Sequence, residues 1–597
     1  MPRSRLLLVP FALIVGLLPA AGQKLQVVGQ PLVAQPRPVN PAPGNPNGAA
    51  PALTDEEALK AAGLSATDGP KLIGYLKQRT VSDSEKGKID ILIKQLGADL
   101  FADRIKAGES LEVFGPAAIG LLKAAEKNVD PEIAYQATRV LKRMETIPHS
   151  AIAAAAVRAV VKLKPPGAAA ALLGFLPLAD SDALAEEIRG ALIAIAAPNG
   201  SADPALIAAL ADASPSRRGA AYIALIQGGP ASERIRIKDA YPQVTAAIRK
   251  DADAETKFIG LWALIRTARD KDFIPDLIDL IPKLSRGRIW QVEDLLLFLA
   301  GSPPEGGRFG NTPEKLAKAR DAWLGWWKAQ GGAIDLEKKA YTPRIQGQTV
   351  LVESDQRGFG MGRVVCLGQD MKEKWQIAGL NSVMDGRVQA DGTIVTIENY
   401  SQVVVRNAAG TKLRTQILNQ AVAAEITPDG GLLVLGRQFI HQYSKAGNQS
   451  WTYRRPNVAD IHTGRRLPNG EVLFLTQAQQ GNNCFRLDAK GQLIGKGTTI
   501  GHLPNINYGY VINMDLVGSD SILLCEVDKV AEYDMKSGKQ TWKYAINSPT
   551  SVQRLPSGNT LVASLPQNRA VEVDPSGDVV WEYRAKDGLT ISKAYRR

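Results

Sequence analysis

Three of the four histidines lie in the C-terminal half of the chain, and one of them has neighbours with which it could do chemistry. His462 sits in Asp460-Ile-His-Thr-Gly-Arg-Arg-Leu-Pro-Asn-Gly470, with Arg454 and Arg455 ahead of it and Arg465 and Arg466 behind. A neutral imidazole can serve as base or nucleophile near neutral pH, and a guanidinium offers a planar fork of N–H donors that matches the oxygens of an anion. Brought into one pocket, His462 and two or three of these arginines, with His502 as a further candidate, would bind an anionic group or transfer one. The plainer reading of a lone histidine such as His462 is a satisfied structural residue. No Walker-type loop, dinucleotide fingerprint, H-E-x-x-H or G-x-S-x-G occurs. No catalytic, cofactor-binding or metal-ligating residue is therefore assigned.

These residues need a scaffold, and a repeat in the sequence supplies it. From Tyr341 onward, short alternating runs are separated by turns. The segments around Met371, Gly410, Gly447, Gly491, Gly538 and Gly577 take equivalent places, several of them followed four residues later by Trp. A second turn keeps step at Asp391-Gly392, Asp429-Gly430, Asn469-Gly470, a weaker Ser519-Asp520, and Ser557-Gly558. Two turn signals sharing a period of about 40 residues indicate four-stranded propeller blades, and six units are countable over 341–597. His462 falls on a predicted inner strand facing the central channel. The Trp after each turn is expected to pack between blades. The first unit lacks an inner strand before Thr349, and the tail Ile591–Arg597 is expected to supply it, closing the ring with strands from both ends.

Residues 54–331 read differently. Thr54-Asp-Glu-Glu57 has the form of a capping box, and Ala/Leu/Ile-rich stretches at helical spacing follow. Ile133–Met144, Ala183–Ala196, Arg217–Ile226 and Glu255–Thr267 read as second helices of repeated hairpins, each preceded by Asp or Ser. Such a pair leaves one face unburied and must stack on neighbours, so the segment is expected to be an α-solenoid resembling HEAT-type repeats. Trp323, Trp326 and Trp327 share one helical face and are expected to close the stack and seat the next domain. The fold class is thus multidomain, a HEAT-like α-solenoid followed by a six-bladed all-β propeller.

Ahead of the solenoid, Arg3 and Arg5, the apolar run Leu6–Leu18 and the small residues Pro19-Ala-Ala-Gly22 have the order of a secretory signal, here residues 1–22. Residues 23–53 are rich in Pro and read as an extended tether. No apolar run is long enough for a transmembrane segment. Export to a periplasmic or extracellular space is expected. The only cysteines, Cys366, Cys484 and Cys525, allow at most one disulfide, so packing must hold the fold. The net charge of +12 is spread along the chain without a run of like charges, which argues against a nucleic-acid partner.

Glu532-Tyr-Asp-Met-Lys-Ser-Gly-Lys-Gln-Thr-Trp542 resembles the repeat of pyrroloquinoline-quinone-type propellers. Leu555-Pro-Ser-Gly-Asn-Thr-Leu561 with Val571-Glu-Val-Asp-Pro-Ser-Gly-Asp-Val-Val-Trp581 is similar to the propeller of arylsulfotransferase-like proteins. The whole layout resembles exported repeat proteins of planctomycete-type bacteria. The quinone resemblance implies eight blades, a Ca²⁺ site and an adjacent cysteine pair. Six units and three scattered cysteines depart from that pattern, and no cofactor is expected. The sulfotransferase resemblance implies a His nucleophile with Arg or Lys on the sulfate oxygens, and His462 with its arginines is where that would fall.

The functional expectation is an exported, non-enzymatic binding or scaffold protein, with a protein partner or an anionic envelope component recognised on solenoid and propeller surfaces. The alternative is a propeller enzyme of arylsulfotransferase-like type acting on an anionic substrate. If residues 1–22 direct export, the exported protein begins at Gln23. Intact-mass measurement on secreted material checks this, and retention of Met1 would refute it.

Overall fold

A computed structural model describes residues 54–597, apart from 81–82, 127, 145–148, 229–236, 340, 356–359, 390, 408–409, 419, 456–459, 478–481, 502–511 and 519. The expected signal (1–22) and tether (23–53) lie outside the described residues.

Sixteen α-helices, α1 (Asp55–Ala61) to α16 (Pro313–Gln330), precede twenty-four strands, β1 (Thr349–Ser354) to β24 (Thr590–Arg596), among the described residues. The helices begin where the caps predict. Glu57 N–H donates to Thr54 Oγ1 at 3.3 Å while Glu57 Oε2 accepts from Thr54 N–H at 2.8 Å, the reciprocal capping box. Ser181 and Asp253 cap α9 (Asp182–Ala194) and α13 (Ala254–Ala263) through the N–H groups of Leu184 and Thr256. Between them, α7 (His149–Leu163), α9, α11 (Pro215–Gln227) and α13 pack in succession as one layer. The shorter α8 (Ala168–Phe175), α10 (Pro204–Ala209) and α12 (Tyr241–Lys250) are the first arms of the hairpins.

The stack is less regular than repeated hairpins would be. Helices α3 (Asp83–Gln95), α4 (Phe101–Phe114), α5 (Ile119–Ala125) and α6 (Pro131–Met144) pack chiefly on one another as a side unit. Helices α1 and α2 (Gly69–Lys77) lean on α7 instead. Thus the segment around Ile133–Met144 is a second helix, as its spacing indicates, but not of the main stack.

At the other end, Trp323 is fully buried in α16 and donates from Nε1 to Gly307 O at 2.8 Å, with Trp326 edge-on at 5.4 Å. The tryptophan trio closes the helical stack. The propeller is seated by a different residue, Trp290 on α15 (Arg286–Ala300), which the spacing argument does not single out.

The strands form six four-stranded antiparallel sheets. Five are contiguous in sequence, with inner strands β4 (Val383–Val388), β8 (Ala421–Ile426), β12 (Ile461–Arg466), β16 (Met514–Val517) and β20 (Pro549–Arg554). The sixth has the order β24-β1-β2-β3, so the end of the chain supplies its inner strand. Val350 lies opposite Tyr595 and Thr349 opposite Arg596 across that seam. Both turn series hold a left-handed residue, which is why Gly recurs at Gly392, Gly430, Gly470 and Gly558. In the fifth blade the residue is Gly518 (φ 64°), one position ahead of the expected Ser519-Asp520. The outer-strand tryptophans span blades as expected: Trp542 Nε1 donates to Pro575 O of the next blade at 3.0 Å, and Trp451 lies against Gly491. All three cysteines are buried free thiols, which burial pushes up to about 11 for Cys366 and about 12 for Cys484 and Cys525.

Solenoid and propeller belong to one compact unit. Gly287 N–H of α15 donates to Gln369 O at 3.0 Å, and a side chain at Gly287 would collide with the Gly347 carbonyl. Arg286 and Asn311 donate to the carbonyls of Val580 and Val579 on β23 (Val579–Tyr583). Arg596, at the end of β24, lies with its guanidinium 3.1 Å from the centre of the Trp290 ring and 4.6 Å from that of Trp581. It also donates to Glu572 Oε2 at 2.9 Å and to Thr349 Oγ1. Deleting residues 590–597 opens the ring, strands Trp290 and leaves buried Glu572 without its counter-charge. The expected outcome is a sharp fall in the propeller's melting temperature in calorimetry, and an unchanged midpoint would refute closure by the tail.

Candidate functional site

The inner strands converge on the propeller axis, where they have no further strand to pair with. Polar side chains do part of that pairing. Glu425 Oε1 on β8 accepts from Arg466 N–H on β12 at 2.6 Å, and Asp515 Oδ2 on β16 accepts from Arg554 N–H on β20 at 2.7 Å. Gln553 on β20 accepts from Arg596 N–H on β24 at 2.7 Å and returns a bond from Nε2 to Arg596 O at 3.1 Å. Three of the six seams between inner strands are therefore stitched by side chains that satisfy backbone groups.

Around these stitches lies a cavity of about 240 Å³, lined from all six inner strands by Arg387, Glu425, Arg465, Asp515, Gln553 and Tyr595 among others. Asp385 on β4 accepts from Tyr595 Oη at 2.5 Å and from Arg387 Nε at 3.3 Å, and Tyr595 Oη in turn accepts from Asn513 Nδ2 at 3.3 Å. Burial works against the Arg387 charge, but Tyr595, Asp385 and Glu425 outweigh it and hold the guanidinium's pKa above its ordinary value. Burial likewise raises the Tyr595 phenol, with Asp385 adding to the shift. On the opposite side, Arg465 Nη1 donates to Asp515 Oδ1. One layer further along, Lys593 is buried with Nζ donating to Thr550 O at 2.6 Å, and burial pushes its pKa down to about 8.

The structure does not assemble the cluster that the sequence suggests. Arg465 alone of the candidates lines the cavity with its side chain. Arg466 joins through its backbone N–H, and its guanidinium lies at the β12–β13 turn, where a side chain on Gly470 would meet it at 3.2 Å. Arg454 ends the outermost strand β11 (Gln449–Arg454), and Arg455 beyond it stacks 4.5 Å over the Phe485 ring. The inner strand begins after residues 456–459, so these two arginines stay on the outside of the blades while His462 goes to the inside. His502 lies outside the described residues.

His462 is on an inner strand as predicted, but it is 4% exposed, does not line the cavity, and has both ring nitrogens buried without a hydrogen-bond partner among the described residues. Burial pushes its pKa down to about 4, with Asp460 opposing and Arg437 reinforcing the shift, so it is neutral at pH 7. His441, on β10 (Phe439–Tyr443), is satisfied by Thr452 Oγ1 at 2.7 Å and stacks on Phe439, as a structural histidine does.

Spacing marks most of the cavity residues as equivalent in the repeat, without showing that they share a cavity. Arg387, Glu425, Arg465 and Gln553 each lie five positions ahead of a turn glycine, Gly392, Gly430, Gly470 and Gly558. That column of the repeat is the one that faces the cavity. Asp515 falls in the same column, five positions ahead of Asp520 in the weaker turn, and only Tyr595 escapes it, because the closing strand has no turn after it.

No family model matches the chain, and no curated protein matches it. Among solved structures it is similar to a protein of unknown function from Bacteroides caccae, at 16% identity over 41% of this chain and 97% of that one, with a TM-score of 0.33. It is similar to BamB from Moraxella catarrhalis at 14% identity over 40% of this chain and 79% of that one, TM-score 0.26. A catalytically inactive virginiamycin B lyase from Staphylococcus aureus gives 17% identity over 34% of this chain and 71% of that one, TM-score 0.27.

The buried neutral histidine has a pH signature. Its pKa is about 6.5 unfolded and about 4 folded. Its burial is therefore fully tolerated above pH 6.5, and stability falls as pH drops from 6.5 towards 4, by on the order of 3 kcal/mol. His462→Leu is expected to flatten that acid limb in urea titrations and to leave stability at pH 7 equal or higher, since two orphaned nitrogens are removed. An unchanged acid limb would refute the assignment.

Proposed function

We propose that the chain is an exported binding protein that recognises another protein through its helical half, with the propeller as a rigid body fixed to it. The observation that carries this reading is the distribution of exposed apolar side chains. Ile91, Leu100, Phe101, Val113, Val129 and Tyr135 are each more than half exposed, and all belong to the side unit α3–α6. No other large apolar side chain among the described helices is as open. Single exposed apolar residues are ordinary, whereas six of them confined to one sub-unit of the fold support a contact surface there. Arg104 and Arg139 lie over the rings of Phe101 and Tyr135, so the aromatic anchors carry a cationic rim.

The enzymatic alternative draws less support. A transferase needs a nucleophile beside its anion clamp, and His462 is withdrawn from the cavity that Arg387 and Arg465 line. Export itself rests on the N-terminal sequence pattern. No described helix is long and apolar enough to cross a membrane.

Leu100→Glu/Phe101→Glu is the test. Both side chains are exposed, so the double variant is expected to keep the wild-type melting temperature to within a degree or two. Used as bait in an envelope extract, the wild-type chain is expected to retain a stoichiometric protein that the double variant loses by about tenfold or more, the scale of losing two interface anchors. Equal retention by both chains would sink this surface as the binding face.

A further inference from the structure

Two guanidiniums in the propeller cavity are only half used. Arg387 is held by Nε to Asp385, and Arg465 by Nη1 to Asp515. No protein acceptor meets Nη2 of Arg465 or the outer N–H groups of Arg387 among the described residues. Between their strands stands Glu425 on β8, with one oxygen on Arg466 N–H and the other without a partner among the described residues. These three side chains take the same register position on three consecutive inner strands, each opposite the second strand's Val395, Leu433 or Leu473.

The charge balance selects the ligand. Arg387 pairs with Asp385 and Arg465 with Asp515, which leaves Glu425, felt by Arg387 at longer range, as the member of this row without a salt bridge among the described residues. A dianion such as sulfate would meet two guanidiniums already paired and a free carboxylate oxygen beside them, an arrangement that repels it. A group carrying both signs would satisfy the open donors and the open acceptor of this row. The cavity volume of about 240 Å³ corresponds to about eight waters, room for a molecule of amino-acid size. Gln553 and Asn513 on the far wall are occupied by backbone stitches and offer a polar, neutral boundary.

We propose that the propeller cavity is a binding site for a small zwitterion, an α-amino acid or a compound of like size, whose carboxylate is taken by Arg387 and Arg465 and whose ammonium is taken by Glu425. The site stands apart from the helical surface, and neither depends on the other.

The full chain is titrated calorimetrically with each of the common L-amino acids, with the amides and N-acetyl derivatives of those that bind, and with sulfate. One or more amino acids are expected to bind at one per chain. The amide and the N-acetyl derivative are each expected to bind about tenfold or more weakly, the loss of one charged hydrogen-bonding partner. Glu425→Gln keeps an oxygen for Arg466 N–H and so leaves the stitch intact, and it is expected to weaken amino-acid binding by about tenfold with an unchanged melting temperature. Arg465→Gln is expected to do the same to the carboxylate end. Binding of sulfate but of no amino acid, equal binding by the Glu425→Gln variant, or no binding by any amino acid at millimolar concentration would each overturn the proposal. The bait experiment on α3–α6 is unaffected by any of these results.

Discussion

A β-propeller is a ring of sheets, and its stability hangs on how the ring is closed. In this protein one blade is built from both ends of the propeller sequence, and β24 supplies the inner strand against β1. Without β24, β1 would present an open edge at the axis, the kind of unpaired strand that invites aggregation. Closure also buries a charge. Arg596, 4% exposed, is held between the rings of Trp290 and Trp581 and donates to Glu572 and Thr349. A buried guanidinium is costly without a counter-charge, and here Glu572 supplies it while Nη1 and Nη2 are hydrogen-bonded. Each partner comes from a different part of the chain: the solenoid, the last contiguous blade and the first strand of the propeller. The contact that shuts the ring is therefore also the contact that fixes the helical half to it.

The inner strands face a second constraint, because each has only one neighbour within its sheet. Glu425, Asp515 and Gln553 answer it by accepting backbone N–H groups of the next strand around the ring. This use of polar side chains occupies much of the charge that lines the cavity. Most of its carboxylates and amides are already engaged in holding the blades, and the arginines are anchored on one edge by aspartates. Among the described residues, the outer N–H groups of Arg387 and Arg465 and one oxygen of Glu425 remain open along one wall.

The helical half divides its labour in a similar way. Its regular layer, α7-α9-α11-α13, runs toward the propeller and ends in the tryptophan cap, where Trp323 is fully enclosed. The side unit α3–α6 stands off that layer and keeps its apolar groups in solvent. Their exposure sets this unit apart from the regular layer, which encloses its apolar groups.

Much of the architecture was legible in the order of residues. Glycines at fixed positions in a period of about 40 mark turns that require a left-handed backbone, and that requirement is local, so the six blades and most of their strands follow from it. The capping box at Thr54, the caps at Ser181 and Asp253 and the enclosure of Trp323 are local in the same sense. The closing strand was legible by subtraction, since the first unit lacked a strand and the tail had one to give. The site was not. His462 and the arginines around it are neighbours in sequence, yet a propeller carries the chain from the outer edge of one blade to the inner edge of the next within those few residues, so adjacency there means separation in space. The residues that do meet, Arg387, Glu425, Arg465, Asp515, Gln553 and Tyr595, come from six strands spread over two hundred residues. Sequence set which side chains occupy each repeat position, because turns and alternation are properties of short segments. Only the closed ring decided which of them share a cavity, and only the docking of α15 decided that Trp290 would lock it, because both depend on surfaces that do not exist until the distant parts of the chain have folded together.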